Sequence, residues 1–123
     1  MKQRTILMAA SLLGALAVGL GAFGAHALKT TLVATGRQET YELAVRYHFY
    51  HSLALLATGI LIERIASLKI SSLLFLVGTI IFSGSLYVLA LTNQSWWGAV
   101  TPIGGVALIA GWLTFFWAAY QKK

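Results

Sequence analysis

Residues 70–91 read ISSLLFLVGTIIFSGSLYVLAL, a run without a single charged side chain. About 20 such residues in a helix cross the hydrocarbon of a bilayer. The run shows no period-two alternation, so it reads as a membrane helix and not as a barrel strand. Working outward, Val100 to Tyr120 is a similar run, and Ile6 to Ala27 is another, preceded by Lys2 and Arg4. Leu43 to Ile62 is weaker at its start, where Arg46, His48 and His51 interrupt it. The sequence therefore predicts an all-α fold: an integral membrane four-helix bundle, one transmembrane domain, with helices over about 5–27, 41–64, 70–92 and 101–120.

Composition agrees. Of 123 residues, 59% are hydrophobic and 10% charged, with a mean hydropathy of +0.79. Soluble domains carry about 25% charged residues to keep a large surface wet. The net charge of +6 does not imply nucleic acid, because the basic residues form no patch or stripe. They lie at the chain ends and between the apolar runs, where they set topology. One side would hold Lys2, Arg4, Arg64, Lys69, Lys122 and Lys123; the other would hold Lys29, Arg37 and Arg46. The richer side belongs inside, so both termini are expected in the cytoplasm of a multi-pass plasma-membrane protein. The absence of Cys excludes disulfides, thiolate metal sites and thiol nucleophiles.

Boundary signals fit helices. Thr101-Pro102 reads as an N-cap followed by proline at the first helical position. Thr40 is a second candidate cap, with Glu42 suiting the helix dipole, and Asn93 a candidate stop. Trp96, Trp97, Trp112, Trp117 and Tyr120 suit the membrane interfaces. Lys29 to Thr40 reads as the one sizeable polar loop. The N-terminal run, ending in Ala25-His26-Ala27, imitates a secretory signal, but it is longer than a signal's apolar core. Its small residues, Ala10/Gly14 and Ala17/Gly21/Ala25, also fall at the spacing that lets membrane helices approach closely.

Polar side chains within membrane helices face the protein interior or a cavity, and are functional candidates. Hairpin connectivity brings His26, Arg46, Tyr47, His48, His51, Ser83, Ser85 and Tyr87 to the outer half of the bundle, leaving the inner half almost without polar groups. For each there is a plainer role. Arg46 can pair with Glu42 or snorkel to the interface. The histidines can hydrogen-bond Ser83, Ser85 or backbone carbonyls between helices. His48 and His51, three apart, with His26 as a third, could ligate a metal, but no carboxylate lies at comparable depth to complete or orient the site. No Ser–His–acid set is supported, since Glu39, Glu42 and Glu63 are the only acids. Gly14, Gly21, Gly24, Gly84, Gly104, Gly105 and Gly111 are expected to serve helix packing.

Four motifs, in order, resemble one family: Gly21-Ala22-Phe23-Gly24-Ala25-His26; Tyr47 to Leu55; Phe82-Ser83-Gly84-Ser85-Leu86-Tyr87; and Thr101-Pro102-Ile103-Gly104-Gly105 with Gly111-Trp112. It is the membrane family labelled domain of unknown function 423, whose animal relatives are called transmembrane protein 256. The resemblance covers nearly the whole chain and implies a small multi-span protein of the bacterial plasma membrane. It implies no activity, and it argues against signal cleavage, because the first motif spans the would-be site. His48 departs from the pattern, where Gln is more usual, which undercuts a three-histidine metal site.

The residues point to a non-enzymatic membrane protein with an outer polar pocket for a small ligand, a lipid headgroup or a partner. No cofactor is implied. One alternative is an oligomeric transporter or channel subunit, with homo-oligomer contacts through the glycine faces. A further alternative is a metal, haem or quinone site built on the histidines.

Overall fold

A computed structural model describes residues 1–122; Lys123, counted above among the basic residues of one side, lies outside them. Five α-helices run in the order α1 (Gln3–Ala25), α2 (Lys29–Thr35), α3 (Gln38–Leu61), α4 (Leu68–Thr92) and α5 (Thr101–Gln121), with a 3₁₀ turn at Ser95–Ala99 before α5. There is no strand among the described residues. The segments Gln3–Ala25, Leu68–Thr92 and Ser95–Gln121 are long and apolar enough to cross a membrane. The fourth long helix, α3, has the length but carries the polar residues.

The expected loop at Lys29 to Thr40 is mostly helix. Residues 29–35 contain neither Gly nor Pro, and Leu32 is buried against Tyr41 and Ala90. Gly36, at φ 72°, ends α2 in the left-handed conformation, its N–H facing the carbonyls of Leu32 and Val33. Helix α3 then starts at Gln38, with Arg37 at the cap position, so Thr40 lies within its first turn and does not cap it. Thr101 is likewise already helical and its hydroxyl meets Ser85 instead. Asn93 does close α4, at φ 55°.

The helices do not form a closed four-helix bundle. They pack as a row: α1 against α3, α3 against α4, and α4 against α5. Neighbours run antiparallel, with both ends tied. At the end carrying α2, Arg37 donates to Asn93 Oδ1 at 2.7 Å and Ser95 Oγ at 3.1 Å. At the terminal end, Gln3 donates to the Gly59 carbonyl at 3.0 Å and Lys122 to the Arg64 carbonyl at 2.9 Å. Because each end helix packs closely along only one neighbour, much of α1 and α5 faces outward, including Leu12, Val18, Ile109, Leu113 and Phe116.

Buried hydroxyls also run the full length of the row and are not confined to one half. Near the terminal end, Ser72 Oγ lies 2.8 Å from Thr58 Oγ1, and Ser71 shares a 2.9 Å hydrogen bond with Thr114. Serine and threonine can bond a carbonyl one turn back, as Thr58 does to Leu55, so an apolar run accommodates them at any depth. That is why single hydroxyls inside long apolar runs gave no warning of this cluster.

Glycine sets how closely the row packs. A Cβ on Gly104 would overlap the backbone of Phe82, and one on Gly111 would come within 2.7 Å of the Phe75 ring. Gly21 and Gly24 meet Val45 and the Tyr41 ring, while Gly105 lies at ordinary distance from Phe82. Gly59 and Gly78, absent from the expected set, are as tightly covered, by Ile6 and Leu7 and by Leu108. Gly14 and Gly84 are corrections: a Cβ on either meets nothing within 4 Å, so neither mediates a close approach within the chain. Gly104→Ala is expected to destabilise by about 1–3 kcal/mol, the usual cost of overpacking against a backbone that cannot yield. Gly84→Ala should not lower stability. Unfolding midpoints of the two variants in detergent micelles check the contrast.

Candidate functional site

The two histidines of α3 are three residues apart yet serve different neighbours. His51 is 5% exposed and its Nδ1 lies 2.8 Å from the Tyr47 carbonyl. A carbonyl only accepts, so Nδ1 carries the proton. Nε2 is then bare, and it accepts the Trp112 indole N–H at 3.0 Å. His51 is thus a neutral imidazole with both nitrogens occupied, tying α3 to α5 across α4. The rings of Phe75 and Trp112 pack around it. It has no nitrogen left for a metal or for proton transfer.

His48 is the converse. It is also 5% exposed, and its Nδ1 lies 2.9 Å from the Tyr87 hydroxyl. Among the described residues the Tyr87 hydroxyl has no other partner, so its proton goes to Nδ1 and Nε2 keeps the N–H. That Nε2 is buried without a hydrogen-bond partner, and so is the Thr79 hydroxyl oxygen on α4. The residues His48 and Thr79 line a crease of about 180 Å³ with Leu13, Ile80, Ser83, Gly84 and Tyr87, but the two polar atoms lie beneath its apolar surface.

The remaining expected residues scatter. Ser83, 2% exposed, donates to the Ala44 carbonyl at 2.8 Å and joins α4 to α3. Ser85 shares a 2.6 Å hydrogen bond with Thr101 and joins α4 to α5. Tyr47 stacks near His51 and Phe82, lining a separate crease of about 310 Å³ with Trp112. His26 is exposed at the end of α1, away from the other two histidines. Among the described residues no three His, Asp, Glu or Cys side chains converge, so the three-histidine metal alternative is not formed. The single outer pocket expected from connectivity is therefore divided, because α3 and α4 turn successive polar residues into different creases.

Arg46 lines two adjoining recesses between α1 and α3. The first, about 190 Å³, is bounded by Gly21, Gly24, Gln38, Tyr41, Glu42 and Arg46. The second, about 330 Å³, is walled by Ala17, Val18, Ala22, Val45, Phe49 and Tyr50. Gly21, Val45 and Arg46 are common to both. Tyr41 holds the first recess in shape: its ring covers Gly24 and its hydroxyl donates to the Leu20 carbonyl.

Neither Thr79 nor Tyr41 was among the site residues expected from the sequence. A signal for Thr79 existed: Thr79, Ser83 and Tyr87 recur every four residues and so share one face of α4. Nothing comparable marked Tyr41, whose role depends on the bare face of Gly24 on another helix.

The family described as "Protein of unknown function (DUF423)" matches residues 20–105, a stretch that includes both recesses' polar residues, His48 and Thr79. The chain belongs to this family. It is 38% identical over 125 residues to the UPF0382 inner membrane protein YgdD of Escherichia coli K12, covering all of this chain and 95% of that one. It is 43% identical over 109 residues to the UPF0382 membrane protein YwdK of Bacillus subtilis, covering 86% of this chain and 88% of the relative. A UPF0382 membrane protein of Staphylococcus saprophyticus is 45% identical over 113 residues, covering 90% and 92%. No solved structure matches. With its apolar helices and these relatives, the chain is a membrane protein of the family.

Removing the indole N–H tests the scaffold role of His51. Trp112→Phe keeps the ring packing but leaves Nε2 unpaired, at an expected cost of about 1 kcal/mol. A lowered unfolding midpoint, with a shifted ¹⁵N resonance for His51 Nε2 and none for His48, is the expected result.

Proposed function

We propose that this is a non-enzymatic, multi-pass protein of the bacterial inner membrane that binds a phospholipid in the paired recesses between α1 and α3. The single observation behind this is their continuity: a recess bearing Gln38, Glu42 and Arg46 adjoins an apolar trough through shared walls. A phospholipid has that division of chemistry. Arg46 would take the phosphate, for which a guanidinium supplies paired donors. Glu42, one turn before it, would favour a headgroup carrying an ammonium over one with a net negative charge. The acyl chain would lie along Val18, Ala22 and Phe49.

The reading places α1, α3, α4 and α5 as four spans, α3 being held in the membrane by its neighbours although polar near its start. The recess then falls at an interface, the depth at which a headgroup resides. Excess Lys and Arg at the other end supports both termini in the cytoplasm. YgdD's description as an inner membrane protein supports the location. No paired acid and base or nucleophile accompanies the recess, which favours binding over turnover.

Two experiments decide. Native mass spectrometry of the protein extracted with its lipids is expected to show one retained phospholipid per chain, with phosphatidylethanolamine outcompeting phosphatidylglycerol. Arg46→Leu should lose it, and Glu42→Gln should lose the preference between headgroups. Equal retention by the parent and Arg46→Leu would refute the site. For orientation, the chain lacks Cys, so single cysteines at Ser67 and Ser95 give clean labelling. An impermeant maleimide added to intact cells should label Ser95→Cys and spare Ser67→Cys.

A further inference from the structure

We infer that the terminal end of the row docks an anionic phospholipid carrying two phosphates, of the cardiolipin type, through Arg64, Lys69 and Lys122. This is a second lipid site, at the opposite end from Arg46 and sharing no residue with the recesses there.

The two ends differ in charge. At the end bearing α2, Glu39 and Glu42 offset part of the positive charge, whereas Glu63 alone accompanies Lys2, Arg4, Arg64, Lys69 and Lys122 at the other. Like charges gathered at one face repel, and an anionic membrane surface relieves that repulsion. Membrane topology asks only that such residues be present on one side. The fold goes further and places them. The Lys122 ammonium donates to the Arg64 carbonyl at 2.9 Å, so the end of α5 is drawn over the turn between α3 and α4. Gln3, bonded to the Gly59 carbonyl, brings Lys2 and Arg4 to the same end from the α1 side. A lysine serving topology alone needs no such tie, and holding its flexible side chain costs rotamer entropy. The negative end of the α3 dipole attracts cations too, but that attraction fades beyond the last turn and leaves most of this charge uncompensated.

The surroundings fix the partner as a lipid. Just inside the cations, α4 and α5 expose Ile70, Leu73 and Trp117, which offer apolar surface to acyl chains. Trp117 stacks on Tyr120, an aromatic pair of the kind that sits at headgroup level. A soluble polyanion would meet the same charges but leave that apolar wall unused. Adjacent helices lie roughly 8–10 Å apart, so Lys69 on α4 is about one such spacing from the contact between Lys122 and Arg64. Two phosphates joined through one glycerol engage both places with a single molecule. A lone phosphate engages only one of them.

The test uses the full chain in phosphatidylethanolamine nanodiscs doped with cardiolipin or with phosphatidylglycerol at equal phosphate, read by native mass spectrometry. One cardiolipin per chain is expected, retained roughly tenfold better than phosphatidylglycerol, as two charge-assisted contacts against one imply. Arg64→Gln, Lys69→Gln and Lys122→Gln should each weaken retention roughly fivefold, with thermal midpoints near that of the parent. Placement is separated from charge count by combining Lys122→Gln with Gln121→Lys. That exchange keeps the net charge but moves the ammonium about 100° around α5. It should lose as much retention as Lys122→Gln alone. Arg46→Leu should retain cardiolipin normally even if it loses phosphatidylethanolamine, so the two sites fail separately. The inference is overturned if phosphatidylglycerol is retained as well as cardiolipin, or if the lysine exchange leaves retention undiminished. It is equally overturned if soluble pyrophosphate displaces cardiolipin at matched phosphate, or if Arg46→Leu abolishes its retention.

Discussion

Every polar group within this row of helices must find its partner inside the protein, because hydrocarbon supplies none. Much of the architecture follows from that requirement. Ser83 reaches the Ala44 carbonyl, Ser85 meets Thr101, Ser71 meets Thr114, and Ser72 meets Thr58. All four link α3 to α4 or α4 to α5, at different depths, and so fix rotation and register where apolar packing alone would let helices slide. Arg37, Gln3 and Lys122 perform the same service at the ends of the row.

Such bonds require close backbones, and glycine provides them. Gly104 and Gly111 let α5 settle on Phe82 and Phe75 of α4, while Gly78 does the reverse for Leu108. Gly24 admits the Tyr41 ring and Gly59 the side chains of Ile6 and Leu7, drawing α1 and α3 together at both ends. Gly84 differs in kind. It has no neighbour to admit, and the room it leaves belongs to a cavity.

His48 and His51 show how one requirement yields two outcomes. On the same turn of α3, one imidazole finds a carbonyl and an indole, and is consumed by structure. The other finds a phenol at Nδ1, while its Nε2 is buried without a well-formed hydrogen bond. The difference comes from the helices they face: α5 brings Trp112 to His51, whereas α1 leaves His48 Nε2 unmet. Their three-residue spacing suggests a shared role, but the two imidazoles face different helices.

The sequence by itself determined that this is an all-helical membrane protein, that its long apolar runs begin and end near the observed helices, and which family it belongs to. Hydrophobic run length, Lys and Arg placement and motif order are local properties, legible without coordinates. It also marked Gly104, Gly111, His51 and Ser83 as residues of interest. It did not reveal the row in place of a bundle, the helix within residues 29–35, the hydroxyl cluster at the terminal end, or the unmet pair His48 and Thr79. Those depend on which face each helix turns to which neighbour, and a pattern along one chain cannot specify a partner on another helix. Only the tertiary structure decided which polar groups join one helix to another and which are buried without a partner.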